Sequence, residues 1–293
     1  MNKIVRILPG IFLSLLSLSS CDGLFTEDCI YKGYLHARNG FHHPSDMGTP
    51  EQAEMNLMVF PLTGNGVAEY DNLSIPFNGS GDAYGTLHIG SYEFLACNKD
   101  VNILEDAGSA ATVRLRVPTE QGKITAEQGY AYSSSVTGTV MTDDTLHVTA
   151  PMRQYVRRLD IELTATEGDY SRVQSATATL SGVASAADMA TGDRSVAAQV
   201  TNAFRQDDNK FTIFFRLLGI VPTETHTLTV DITFNNGDTQ RVVSDLTEAI
   251  RDFNNGTKPV KLTGNLLLPV EAGVTGATIT GWNEVESGNG DAN

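Results

Sequence analysis

Residues Tyr155-Val-Arg-Arg-Leu-Asp-Ile-Glu-Leu-Thr-Ala-Thr166 alternate between polar and apolar. Val156, Arg158, Asp160, Glu162 and Thr164 share one parity, and Leu159, Ile161 and Leu163 share the other. A period of two places one side of a strand against a core and the other in water. The pattern recurs in both directions. Upstream, Met55, Leu57 and Val59 alternate with Asn56 and Met58, and Val113, Leu115 and Val117 alternate with Arg114 and Arg116. Downstream, Leu228, Val230, Ile232 and Phe234 alternate with Thr and Asp, and Asn235-Asn-Gly-Asp238 is a hairpin turn before a return strand, Thr239 to Val243. Lys210 to Leu218 is apolar on both faces. In Thr86 to Asn98 the apolar parity changes, from Leu87 and Ile89 to Tyr92, Phe94 and Ala96; a bulge or a turn is expected at Gly90-Ser91. One helix is expected, Asp245 to Phe253, with Asp245 or Thr247 as cap and Leu246, Ala249, Ile250 and Phe253 at helical spacing.

Short strands divided by Gly, Asn and Asp turns predict an all-β chain built of β-sandwiches. About seven strand candidates precede Pro151-Met-Arg-Gln154, and the pattern restarts behind it. The expected division is one sandwich over residues 29–152 and a second, with the short helix, over 153–293. A length of 293 residues accommodates two such domains, although no repeat between the halves is visible in the sequence. Hydrophobic residues make up 41% of the chain, enough for packed cores. The net charge of −15 repels nucleic acid and anionic head groups, so no nucleic-acid partner is expected.

The N-terminus carries Lys3 and Arg6, then an apolar run from Ile7 to Leu18, then Leu18-Ser-Ser-Cys21. That is the build of a signal peptide, and the run is shorter than the ~20 residues a membrane span needs. Leu-Ser-Ser-Cys looks like a bacterial lipobox. Residues 1–20 would then be removed, Cys21 lipidated, and residues 21–28 left as an acidic tether. An ordinary secretory signal with a chance cysteine is the alternative. Acyl chains gain ~0.8 kcal/mol per buried methylene and hold a protein without a spanning helix. The expected place is the outer membrane, by its lipid; Asp22, Glu27 and Asp28 beside the anchor resemble the surface-export tethers of bacterial lipoproteins, a resemblance that implies its outer leaflet. Cys29 and Cys97 are the candidate disulfide pair of an exported chain; two free, partly buried thiols are the other reading.

The search for chemistry is short. His42-His43 with Asp46 sits in a turn-rich segment, and adjacent histidines point apart. His36, His88, His147 and His226 stand singly in strand candidates. Asn78-Gly-Ser-Gly81 lacks the nucleophile elbow and precedes no helix. Asp143-Asp144 is a pair of adjacent acids on a loop, and Asp207-Asp208-Asn209 reads as a hairpin turn. Trp282 is the one tryptophan. No catalytic set, metal site or cofactor is expected.

Several stretches carry a family resemblance. Met55-Asn-Leu-Met-Val-Phe60 is followed by Ile89-Gly-Ser-Tyr-Glu-Phe-Leu-Ala-Cys-Asn98, a strand ending in Val-Phe and then a Gly-x-Tyr-x-Phe-x-Ala-x-Asn strand. The second half adds Leu180-Ser-Gly-Val-Ala-Ser185, Met189-Ala-Thr-Gly192, Val243-Ser-Asp-Leu-Thr247 and Leu268-Pro269. Together they resemble the fimbrillin superfamily of Bacteroidales, its Mfa-like anchor and accessory subunits and their lipoprotein relatives. The resemblance implies two transthyretin-like Greek-key sandwiches and a non-enzymatic subunit, anchor or accessory protein of a fimbrium. Its partners would be other fimbrial subunits, joined by β-strand complementation. A glycan-binding surface lipoprotein for nutrient uptake, with a host or glycan ligand, is the rival. Stalk subunits of this kind are cut after an arginine in a loop behind the first strand, which would fall at Arg38. The strand to exchange would be Cys29 to Ala37 or Val274 to Val285, unless the latter closes its own sheet.

Overall fold

The computed structural model describes residues 31–41, 55–62, 73–98, 104–105, 109–126, 128–129, 131–269 and 276–285. The strands are β1 (Lys32–Gly40), β2 (Met55–Pro61), β3 (Leu73–Pro76), β4 (Asp82–His88), β5 (Gly90–Asn98), β6 (Leu104–Glu105) and β7 (Arg114–Arg116). Then come β8 (Thr119–Glu120), β9 (Lys123–Ile124), β10 (Tyr132–Val140), β11 (Thr145–Pro151), β12 (Arg153–Gln154) and β13 (Arg157–Glu167). The remainder are β14 (Val173–Asp188), β15 (Arg194–Ala203), β16 (Arg205–Asp207), β17 (Lys210–Leu217), β18 (Thr227–Phe234), β19 (Thr239–Asp245), β20 (Val260–Leu267) and β21 (Thr278–Val285). The chain is all-β. The decisive stretch behaves as its pattern requires: in β13, Leu159, Ile161 and Leu163 are buried and the residues between them are half-buried.

One seven-strand arrangement occurs twice. In the first half β1 lies between β4, antiparallel to it, and β11, parallel to it. The facing sheet contains the order β10-β5-β2-β3. In the second half β13 lies between β17, antiparallel, and β20, parallel, and the facing order is β19-β18-β14-β15. Each half therefore has its first long strand in the middle of one sheet, with the last of the seven common strands beside it in parallel. The short strands β6 to β9 are an insertion of the first half that joins a sheet of the second: β7 pairs with β14 and β9 with β15.

Three cores follow. One fills the first sandwich, with Leu35, Leu87 and Val148 opposite Leu57, Tyr92 and Phe94. Another fills the second, with Leu159, Ile161, Phe211 and Phe215 opposite Leu180, Leu228 and Val230. The third lies on the back of β2 and β5 and draws on both halves: Met58, Phe60, Leu95 and Cys97 meet Val113, Leu115, Tyr155, Val156, Met189 and Leu218. The run Met55 to Phe60 is thus buried on both faces, which is why its alternation is imperfect.

Three expectations narrow or change on the structure. The parity switch at Gly90 is a turn and not a bulge, and the turn changes sheets. The chain bends at Ile89 and Gly90 takes a φ of 153°, carrying it from β4 in one sheet to β5 in the facing one. The segment Asp245 to Phe253 is not a helix. Asp245 caps as foreseen, its Oδ1 accepting from the Thr247 N–H at 2.8 Å, but the helical bond from Ile250 N–H to the Leu246 carbonyl is followed by tighter turns and a 3-10 turn, Phe253–Asn255. Leu246, Ile250 and Phe253 all plug the second core, and Asn254 bonds both backbone groups of Ile220. So short a segment gains too few helical bonds to offset nucleation when tertiary contacts fix its course. Finally, β1 runs to Gly40, three residues beyond the expected end, because β11 and β4 pair with Arg38 from either side.

Candidate functional site

The outer face of the sheet β11-β1-β4 gathers polar side chains from distant sequence. Even-numbered residues of β1 point outward, and Tyr34, His36 and Arg38 stand in line. His36 is in register with His147 of β11 and Tyr84 of β4. Its Nε2 donates to Asp82 Oδ1 at 2.8 Å, its Nδ1 lies 3.1 Å from Nδ1 of His147, and its ring stacks on Tyr84 with centroids 4.7 Å apart. Asp82 is only 7% exposed. The His36 donor and then the Arg38 guanidinium, 3.0 Å away, hold its carboxyl below the usual carboxylate range. A depression of about 480 Å³ lies over this face, bordered by Tyr34, Tyr84, Thr86, Thr145 and His147. None of these pairings is visible in the sequence, where His36 and His147 stand singly in strand candidates.

The other candidates have structural employment. Arg38 is inside the central strand of this sheet and not in a loop. Cys97 is a buried free thiol in β5, pushed up to about 12 by burial; Cys29, like Cys21 and the tether, lies outside the described residues, as do His42, His43 and Asp46. Asp143 and Asp144 shape the turn between β10 and β11: Asp143 has a φ of 56°, and Asp144 Oδ1 accepts from the Thr145 N–H at 2.7 Å. Asp208, φ 55°, turns the hairpin from β16 to β17. Asn78 Oδ1 accepts from the Ser80 and Asp82 N–H groups and closes the loop before β4. His226 is buried, and burial lowers its pKa. Among the described residues no group of three or more His, Cys, Asp and Glu side chains forms a metal cluster. Nor is any helix among them long and apolar enough to cross a membrane.

A larger groove of about 560 Å³ opens beside β13 and β17, and Arg158, Arg205, Phe214 and Arg216 are among the residues that line it. Arg158 lies 4.7 Å over the Phe214 ring and pairs with Asp160.

The C-terminal segment forms an edge. Among the described residues, strand β21 pairs with β20 alone and is mostly exposed. Two of its residues, Gly281 and Trp282, stand opposite the single Gly264, a bulge made possible by φ 66° at Gly281. The bulge resets the parity, so Ile279 and Trp282 both reach the second core. Trp282 packs on Gly264 and donates from Nε1 to Ser244 Oγ of β19 at 2.7 Å. The segment therefore closes its own sheet here, with Trp282 stitching it to the facing one.

Comparison with known proteins gives one consistent answer. No curated protein sequence matches the chain. Among solved structures, the fimbrial anchor protein Mfa2 from Porphyromonas gingivalis superposes with a TM-score of 0.60 at 14% identity, over 86% of this chain and 96% of that one. A candidate adhesin from Bacteroides ovatus gives 0.59 at 13% identity, over 78% and 88%. A candidate polysaccharide-binding protein from Bacteroides thetaiotaomicron gives 0.55 at 10%, over 80% and 92%. Identities this low establish a shared fold. The family model for fimbrillin-A associated anchor proteins matches the sequence itself over residues 44–288. That range takes in every described strand except β1, and the chain belongs to the family of fimbrillin-A associated anchor proteins Mfa1 and Mfa2, fimbria-associated proteins of the cell surface.

Proposed function

We propose that this protein is a lipid-anchored, non-enzymatic anchor or accessory subunit of a fimbrium, held on the outer membrane through Cys21 and joined to other fimbrial subunits by β-strand complementation. The family match over residues 44–288 carries the reading. The signal segment that ends in Leu18-Ser-Ser-Cys21 supports the anchor. The position of Arg38 favours an anchor over a stalk: a protease needs an extended, accessible chain, and here both flanks of that residue are hydrogen-bonded to neighbouring strands. Uncut, β1 stays in place and the lipid stays with the protein. Strand exchange is then left to β21, which among the described residues ends its sheet, so that its outer edge can pair with a partner strand.

The experiment is a pull-down from detergent-solubilised envelope with wild-type protein and Cys21→Ser. Wild type is expected to co-purify fimbrial subunits and to take up labelled acyl chains. Cys21→Ser is expected to lose the label and leave the membrane fraction. Unchanged membrane retention of Cys21→Ser refutes the anchor, and the absence of any fimbrial subunit refutes the partnership. The glycan reading has one observation in its favour: Tyr34 and Tyr84, 53% and 62% exposed, stand on adjacent strands of one face. A glycan array decides it, since a signal that disappears with Tyr84→Ala requires that face.

A further inference from the structure

On the outer face of β11-β1-β4, the cross-strand pair His36 and His147 has the arrangement of a half-made metal centre. Asp82 accepts the proton on His36 Nε2 at 2.8 Å, which a carboxylate can do only if that nitrogen carries the hydrogen. In the neutral ring the lone pair is then on Nδ1. That Nδ1 faces Nδ1 of His147 at 3.1 Å. An ion at ~2.0–2.1 Å from each nitrogen would subtend roughly 100° at that separation of 3.1 Å, close to the tetrahedral angle. Asp82 is nearly buried, and the same Oδ1 also accepts from Arg38 Nε at 3.0 Å, so it cannot easily swing away. A carboxylate on the far nitrogen of a ligating imidazole fixes its tautomer, orients the ring and raises its basicity.

We infer that His36 and His147 form an open two-imidazole site for a divalent transition cation of the zinc, copper or nickel class, oriented by Asp82. Two imidazoles suit these ions and not calcium or magnesium, which take oxygen ligands. No third protein ligand joins the pair among the described residues, so water or a ligand group completes the shell and the site is exchangeable. In the ion's absence, a proton on His147 Nδ1 can bridge the two nitrogens; binding moves that proton to Nε2 of the same ring. The cation would pin β1 to β11, the parallel pair that joins the first strand of this half to its last. It would thus raise the stability of the strand nearest the N-terminus by mass action.

The test uses full-length protein in detergent with His42→Gln and His43→Gln as background, so that those two histidines contribute nothing. Zinc chloride is titrated calorimetrically, and electron paramagnetic resonance is recorded with Cu2+. The expected result is one site per chain and a copper spectrum split by two nitrogens. Asp82→Asn is expected to weaken zinc about 10- to 100-fold, as the loss of a carboxylate behind a ligating imidazole does, and His147→Gln at least as much. Zinc is expected to raise the melting temperature of the parent and leave that of His147→Gln unchanged. His147 is exposed, so its variant folds. A parent that binds no zinc, zinc affinity unaltered in His147→Gln, or a copper spectrum without two-nitrogen splitting overturns the assignment.

Discussion

Single side chains on the outer faces of this fold are held by charge across strands. Glu162 of β13 illustrates it: Oε1 meets Lys210 of β17 and Oε2 meets Lys261 of β20, both at 2.9 Å. Lys261 first and Lys210 second depress the carboxyl below its ordinary 4.5. A depressed carboxyl contributes stability that is present above its unfolded value and is lost as pH falls through the folded one. Melting temperature measured between neutral and acid pH should therefore fall more steeply in wild type than in Glu162→Gln. The two curves should converge in acid; parallel curves would show that the bridge contributes nothing. The alternation in residues 155–166 already set Glu162 outward, so half of this was readable in advance. Its partners were not. Lys210 and Lys261 lie 48 and 99 positions away, and which strands pair is decided by the fold as a whole. The same holds for His36 and His147, separated by 111 positions.

At the scale of elements, periodicity located strands well and failed where a strand changes sheet or bulges. Residues 274–285 looked apolar on neither face, because Ile279 and Trp282 have opposite parity. The bulge at Gly281 puts both on the core side, and no local pattern announces that one residue is to be left out of register. Trp282 is the fastening of this edge. Removing it deletes the contact with Gly264 and the bond to Ser244. For Trp282→Ala, a loss of about 3 kcal/mol is expected in denaturant unfolding, at the lower end for large-to-alanine changes because the ring is only partly buried. Deleting residues 274–293 separates the two roles of β21. A folded monomer that no longer enters surface assemblies supports exchange at this edge. Loss of folding shows that the strand is indispensable to its own sheet, and intact assembly excludes it from subunit contact. The failed helix at Asp245–Phe253 has a related cause. Its cap and its inward residues were read correctly, but Leu246, Ile250 and Phe253 reach the core from tight turns and a 3-10 turn rather than from a helix.

Over the whole molecule, the repeated seven-strand topology was invisible in sequence. The equivalent strands β1 and β13 share alternation and little else: Leu35 and Ala37 fill in one what Leu159, Ile161 and Leu163 fill in the other. Any apolar residue of suitable volume satisfies an inward position, so topology is repeated without sequence being repeated. The expected division near Pro151–Arg153 remains our proposal for the domain boundary, and the structure gives it an unusual setting. The joining residues are bound on both sides. Arg153 and Gln154 pair with β10, and the Tyr155 N–H donates to the Ala131 carbonyl at 2.7 Å. From the second half, Arg194 reaches across: it donates to the Leu218 carbonyl at 2.6 Å, to the Gly192 carbonyl, and to the Tyr155 carbonyl at 3.3 Å. Its guanidinium lies 4.6 Å over the Tyr155 ring. All three acceptors are backbone carbonyls, and burial lowers its pKa to about 10. Truncating this side chain strips a charged donor from carbonyls that water reaches poorly. Bonds to charged groups are worth roughly 1.5–3 kcal/mol each, so Arg194→Ala is expected to cost about 3 kcal/mol. It should also loosen the joining residues. Limited proteolysis of wild type should cut slowly near residue 152, and the nicked halves should stay together in native buffer, because the insertion strands and the third core belong to both. In Arg194→Ala the cut should be faster. Equal cutting rates, with stability unchanged, would mean that the shared core holds the two halves without the arginine.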